Sequence, residues 1–410
     1  VFQFIGETVQ NATNAFVTPA ATNLMYALQM IAITGVTLYI VLTGYAINGR
    51  AVLVWVGLET RPFPSRWTLA MTGRAELARA LDEIEPDMER QMDLMREQHH
   101  AQVFRLLTKD IAGKLTVERH ADFLSALADI IVDLTVTMCW RKIKNRHRDD
   151  PKFAVLAYGK LGGKELGYAS DLDMVFVHDD DTPEAAELYT RLGQRTNTWL
   201  SAQTPAGQLF ETDLRLRPNG DSGFLACSVA AFEKYQRESA WTWEHQSLTR
   251  ARFITGFEKV GQAFDTIRAE ILTQARDLPA LAQEIIAMRE KMFATHPPKD
   301  SDVKYARGGV VDVEFIVQYL ILAYANKLPQ LLDNYGNIAL LHIAADAGLI
   351  SHTLADQART AYRFYRQQQH NTRLRDADKV EINEEVMGYY QSVRELWTQV
   401  FGEEVRFAAR

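Results

Sequence analysis

The chain has 410 residues, 47% of them hydrophobic, and a net charge of −7. That length accommodates two or three domains with substantial cores, and the negative balance leaves no basic footprint, which argues against nucleic acid as a partner. Its two cysteines, Cys139 and Cys227, are too few and too far apart for a disulfide scaffold or a zinc site and fit a reducing compartment.

The first fifty residues stand apart. No residue from Thr8 to Gly49 is charged, and 24–47 is long and apolar enough to be a candidate transmembrane helix. A secretory signal fits less well, since no basic n-region precedes the apolar stretch. Residues 1–50 therefore read as a segment foreign to the rest, and a membrane anchor, a fusion or a helix buried on the body would each account for it.

Residues 51–150 read as a helical region. One helix is expected over 75–98, rich in Leu, Glu, Met and Arg, and a second over 120–140, where Phe123, Leu124, Leu127, Ile130, Ile131 and Leu134 recur at helical spacing. The basic run Arg141 to Arg148 reads as a solvated linker, and His99-His100 as an exposed helix feature without metal partners. Cys139 is expected on an apolar helix and Cys227 in a loop.

Residues 151–230 carry the chemistry. Phe153 to Val177 joins an apolar strand, a glycine turn at 159–163 and a second strand bearing Asp171 and Asp173. Alternate residues of a strand share a face, so the two carboxylates project together, opposite Leu172, Met174 and Phe176. Oxygen donors at this spacing suit Mg²⁺, which takes its remaining ligands from water and substrate phosphates. The glycines would let backbone N–H groups approach those phosphates. Thr182-Pro183 would open a helix running to about Leu200. The stretch 207–218 alternates Phe210, Thr212, Leu214 and Leu216 with Glu211, Asp213, Arg215 and Arg217. Taken alone, its charged side is slightly better read as a solvated face. Beside the first pair, Asp213 would complete a site for two Mg²⁺ ions roughly 3.5–4 Å apart, with Arg215 and Arg217 neutralising a triphosphate.

Residues 231–410 read as a helical domain, with helices over 228–236, 281–293, 311–324, 339–347, 354–369 and 383–401 and no short-period repeat. Within it, Trp241-Thr-Trp-Glu-His-Gln246 reads equally as a helix whose tryptophans fill a domain junction, or as one turning Glu244 and His245, with Arg250, toward a nucleotide.

A glycine turn, Asp-x-Asp on a strand and a third acidic residue on a neighbouring strand resemble the polymerase-beta-like nucleotidyltransferases. Gly159 to Asp173, Asp213 to Pro218, Trp241 to Gln246 with Arg250-Ala-Arg252, and Lys304 followed by Gly308 to Phe315 are similar to the glutamine synthetase adenylyltransferase family over roughly residues 60–410. The resemblance implies an α+β fold with a small mixed sheet between helical regions. It implies one catalytic half, closer to the adenylylating half than to the deadenylylating one. ATP would lie over Gly162, Gly163 and Ser170, with Arg215, Arg217 and Lys304 on its phosphates. Asp171, Asp173 and Asp213 would hold Mg²⁺, Asp213 doubling as the base for a tyrosine hydroxyl of glutamine synthetase. Arg307 stands where some relatives carry an acid. A nitrogen-status signal protein is an implied partner, and a cytoplasmic catalytic unit the implied setting. A deadenylylating half, a uridylyltransferase and an inactive membrane-tethered module are the rival expectations.

Overall fold

The sheet begins at β1 (Phe153–Ala157), five residues buried at every position. Its burial on both faces follows from where it lies in the computed structural model, which describes residues 73–298, 302–374 and 383–402. Residues 1–50, and with them the candidate membrane segment 24–47, lie outside the described residues.

Three helices lead into the sheet: α1 (Arg74–Glu83), α2 (Met88–Ile111) and α3 (Val117–Arg141). The single helix expected over 75–98 is thus two. Pro86 lacks an N–H and disfavours helix at the residue before it. Asp87 then starts α2 by accepting from the Arg90 N–H at 3.0 Å. Helix α3 matches its expected span, with Thr116 as its cap. It is the one described helix long and apolar enough to cross a membrane, and most of it is buried within the protein.

Two expectations in this region fail. His99 is buried rather than exposed, edge-on to the Phe210 ring at 4.7 Å, and burial pushes its imidazole down to about 3. The basic run is not a solvated linker either. Arg141 and Lys142 pair with Asp82 and Glu85, while His147 and Arg148 close on the buried carboxylate of Asp180. These contacts fasten the run to α1 and to the end of the second strand.

That strand, β2 (Leu172–His178), runs antiparallel to β1, with Ala157 opposite Met174. Between them the chain makes a one-turn helix, α4 (Gly159–Gly162). Helix α5 (Ala185–Ser201) follows and buries Leu188, Leu192 and Trp199. It begins later than Thr182-Pro183 suggested, because Thr182 spends its hydroxyl and N–H on Asp180. Two short strands then pair parallel to β2: β3 (Thr212–Asp213) near its start and β4 (Ala226–Ser228) near its end. Cys227 is therefore a strand residue, not a loop residue; burial pushes its thiol, like that of Cys139, up to about 12.

Helices α6 (Val229–Glu238) and α7 (Thr242–Leu248) come next, before β5 (Arg252–Gly256) pairs antiparallel with β1. The sheet order is β3-β2-β1-β5, with β4 also on β2. The sheet thus extends past residue 230, the expected end of the core, since the strand at 252–256 is one of its edges. The remainder is helical: α8 (Glu258–Leu272), α9 (Leu278–Thr295), α10 (Val310–Tyr324), α11 (Asn337–Asp346), α12 (His352–Leu374) and α13 (Glu384–Phe401).

The sheet separates two cores. Phe153, Val155, Leu172, Met174 and Phe176 pack with α1, α2, α3 and α5, while Leu156, Val175 and Val177 pack with α8 and α10 to α13. Strand β2 is consequently buried on both faces, not half-buried as its alternation suggested. Only its first turn, around Asp171 and Asp173, emerges from cover.

Candidate active site

Parallel pairing sets Asp173 of β2 directly beside Asp213 of β3, and Leu172 beside Thr212. Asp171, one residue before β2, is exposed and lies on the same side as Asp173 by strand alternation. One oxygen from each of the three carboxylates falls within 4.8 Å of the others. The local cause is backbone: the Leu172 N–H donates to Glu211 O at 2.9 Å and the Tyr158 N–H to Asp173 O at 2.9 Å, locking the start of β2 between its neighbours.

Three anions this close repel. Burial, then Asp171 and Asp213, push the Asp173 carboxyl up to about 6, with Arg250 and Lys160 opposing. Asp213 is shifted the other way, because Arg215 grips it from Nε at 3.0 Å and from its own backbone N–H at 2.9 Å. The Arg215 side chain is otherwise 74% exposed, so it can leave. Arg217 faces elsewhere. It donates to Leu214 O at 2.7 Å and reaches Asp221, closing the turn after β3, which explains why the strand expected to 218 stops at Asp213.

The glycine turn has a tighter role than phosphate approach. Gly159 has φ +52°, and a Cβ there would come 2.0 Å from the Asp173 carboxylate. A Cβ on Gly162 would meet Arg250 O at 1.9 Å, and one on Gly163 the Arg250 guanidinium at 2.5 Å. The N–H groups of Gly162 and Gly163 are already given to Tyr158 O and Gly159 O. Neither is therefore available as the backbone phosphate donor expected of it. Ser170 accepts from the Gly167 N–H at 2.9 Å and keeps its hydroxyl proton for a ligand.

Two lysines from distant parts of the chain lie near Asp171 and near each other. Lys160, inside the glycine turn, is half-buried, and its ammonium is held below the usual range by burial and by the nearby charges of Lys304 and Arg366, against the pull of Glu314 and Asp171. Lys304 comes from the loop before α10 and is raised: burial opposes its charge, but Tyr305, Glu314 and Asp171 outweigh it. Its loop is shaped by Gly308, at φ +86°, where a Cβ would strike Tyr390 O at 2.3 Å, and whose N–H donates to the buried Asp312. Sequence reasoning found Lys304 but passed over Lys160, although it stands between Gly159 and Gly162, three residues after a strand.

Beneath the turn lies a buried ionic network. Arg250 reaches Glu165 at 2.6 Å and Glu314 at 2.7 Å, and Glu165 also accepts from Asn337 and Tyr362. Burial disfavours the Arg250 charge, yet the two glutamates hold it above its ordinary range. Arg250 thus supports the glycine turn from below. Glu244 and His245 do not face the site: Glu244 caps α7 at the Trp241 N–H and binds the Tyr235 hydroxyl, and His245 contacts Gln236 O and Arg276. Nor do the tryptophans fill a junction, since Trp241 is 70% exposed and Trp243 is among the exposed large side chains. Arg307, the departure noted in the sequence, pairs with Glu290 at 2.5 Å and lies over the Phe293 ring.

Residues 55–267, just over half of the chain and including all three aspartates, match the family model of glutamate-ammonia ligase adenylyltransferase. Residues 276–381 match that of PII-uridylyltransferase. Among curated proteins, the chain is similar to those named bifunctional glutamine synthetase adenylyltransferase/adenylyl-removing enzyme. It is 67% identical to that of Neisseria meningitidis serogroup B over 318 residues, 78% of this chain and 36% of the relative. Against that of Aromatoleum aromaticum the identity is 60% over 331 residues, 80% of this chain and 35% of the relative. Against that of Bordetella pertussis it is 51% over 323 residues, covering 78% and 34%. The chain thus spans about a third of the length of these relatives.

Proposed function

We propose, from the premise that this chain belongs to the glutamate-ammonia ligase adenylyltransferase family, that it transfers AMP from ATP to a tyrosine hydroxyl of glutamine synthetase and releases pyrophosphate. The observation that carries the reading is the parallel register of Asp173 with Asp213, which gathers three carboxylates at one strand end.

Those carboxylates fit Mg²⁺: the donors are all oxygen, and a cation offsets the burial and mutual repulsion that keep a proton on Asp173 up to about pH 6. When bound, Mg²⁺ neutralises phosphate charge and acidifies an attacking hydroxyl. Asp171, Asp173 and Asp213 would hold it. Lys160, Lys304 and the Ser170 hydroxyl would take the triphosphate oxygens, with Arg215 joining them by leaving Asp213. Released from that guanidinium, Asp213 regains basicity and accepts the tyrosine proton as the phenol oxygen bonds to the α-phosphorus and the bond to pyrophosphate breaks. A free tyrosine has a pKa of about 10, so it requires this assistance at neutral pH.

A second reading rests on the relatives' names, which join adenylyl transfer with adenylyl removal; in it the same aspartates activate phosphate instead of tyrosine. A uridylyl donor is less favoured, because the uridylyltransferase match lies wholly beyond the three aspartates. It does favour a signal protein of nitrogen status as a further partner of the helical domain. The reading sets the catalytic unit in the cytoplasm, with ATP and its target.

The full chain with α-labelled ATP, Mg²⁺ and unmodified glutamine synthetase is expected to label the target, and the Asp171→Asn, Asp173→Asn double variant is expected not to. Phosphate-dependent ADP release from modified target, without labelling, would instead assign the removal reaction; silence in both directions would overturn the enzymatic reading.

A further inference from the structure

Away from the three aspartates, Asp110 of α2, His120 of α3 and His370 of α12 bring one donor atom each to within 4.8 Å of one another. The two histidines are 0% and 4% exposed, and neither ring nitrogen of either has a hydrogen-bond partner. Four imidazole nitrogens without a protein partner in one buried site is a costly arrangement, since a buried polar group without a partner destabilises by about 1–3 kcal/mol. The two rings meet at a tilt of 54°, with centroids 4.3 Å apart. Tyr168 stands beside both and donates from its hydroxyl to Asp110 at 3.0 Å. Gly167 leaves the space: a Cβ there would come 3.2 Å from His370 Nε2.

We propose that Asp110, His120 and His370 bind a divalent transition-metal ion of the zinc class, which fastens α12 and α2–α3 to the loop carrying Gly167 to Ser170. Two imidazoles and a carboxylate suit Zn²⁺ at about 2.0–2.2 Å per bond, leaving a fourth position for water. Hard Mg²⁺ prefers the all-oxygen cluster instead. Binding needs neutral imidazoles, and both are: burial and Arg366 hold His120 at about 4, while burial, His120 and Arg366 hold His370 at about 2. Arg366 and, more weakly, Lys160 are the charges that weigh against a cation, and Arg366 is turned to Glu165, whose backbone oxygen accepts from it at 2.7 Å. The hydrogen bond from Tyr168 to Asp110 orients the carboxylate, as a partner behind a metal ligand does. Neither metal-binding nor structural duty is needed from these residues by the adenylyl-transfer reading, which stands or falls separately.

The full chain, purified without chelator and dialysed, is expected to retain about one zinc per molecule by inductively coupled plasma mass spectrometry. The apo-protein titrated with Co²⁺ is expected to develop tetrahedral ligand-field absorption. The variants His120→Gln and His370→Gln, close to histidine in size, should weaken Co²⁺ binding more than roughly 100-fold and Tyr168→Phe roughly 10-fold. Asp171→Asn with Asp173→Asn should leave it unchanged, which separates this site from the other. Circular dichroism and the metal-free melting midpoint show whether each variant is folded. No Co²⁺ spectrum from the folded wild-type chain, or a spectrum that survives both histidine substitutions, overturns the proposal.

Discussion

Asp173 sits where two demands conflict. The proposed reaction wants its carboxylate ionised, yet burial and two neighbouring aspartates hold its proton to about pH 6. In the unfolded chain it loses that proton near pH 3.8. Between those values the folded state binds more protons, so this group lowers stability as pH rises through the interval. Asp173→Asn should therefore raise the melting temperature at pH 7.5, by a free energy on the order of 1–3 kcal/mol, with the gain fading below about pH 4. The same substitution should cut adenylyl transfer by roughly a thousandfold or more. Thermal scans at pH 4 and pH 7.5, run beside the labelling assay, test both halves. Opposite signs for stability and activity mark a strained functional residue; a fall in both would make Asp173 merely structural.

At the scale of elements, glycines separate those that shape the site from those that only interrupt a helix. Gly159 in α4 has φ +52° and almost touches the Asp173 carboxylate, so Gly159→Ala should cost about 1–3 kcal/mol and lower kcat by displacing Asp173. Gly388 in α13 is exposed with nothing within 4 Å of a Cβ, so Gly388→Ala should add about 0.5–1 kcal/mol and leave kcat alone. Urea midpoints and turnover for the two variants give the comparison. Elements of this kind were legible to different degrees. The helix over 117–141 announces itself by its period and its Thr116 cap, and that over 310–324 by an apolar run too long for a strand. The break at Pro86 and the helix over 258–272, with Val260, Phe264, Ile267 and Ile271 at helical spacing, were equally readable and were passed over. The strand 252–256 was not readable, because five residues without alternation carry no periodic signal and only the pairing with β1 makes them a strand.

Over the whole molecule, the sheet and the C-terminal helices are joined through Glu165, which meets Arg250, Arg366, Asn337 and Tyr362 at once. Removing one member of a buried ionic group strands the others, at about 3–5 kcal/mol. Arg250→Met should cost that much, loosen the Gly162-Gly163 turn that rests on it, and split a single calorimetric transition into two as the helical part separates from the sheet. Glu233, paired with Arg237 on the surface, offers the control: Glu233→Gln should change stability by less than about 1 kcal/mol. The sequence by itself determined the chemistry of the strand end. Period-2 alternation sends Asp171 and Asp173 to one side whatever surrounds them, and the motif order from Gly159 to Glu314 identifies the family. Only the tertiary structure decided which charges serve that end. Lys160 and Lys304 are 144 positions apart in the chain, Arg217 turns to its own loop and Arg250 goes beneath the glycines. The reason is physical: alternation along a strand is local geometry, whereas the partner of a buried charge is chosen by packing between segments that no local pattern connects.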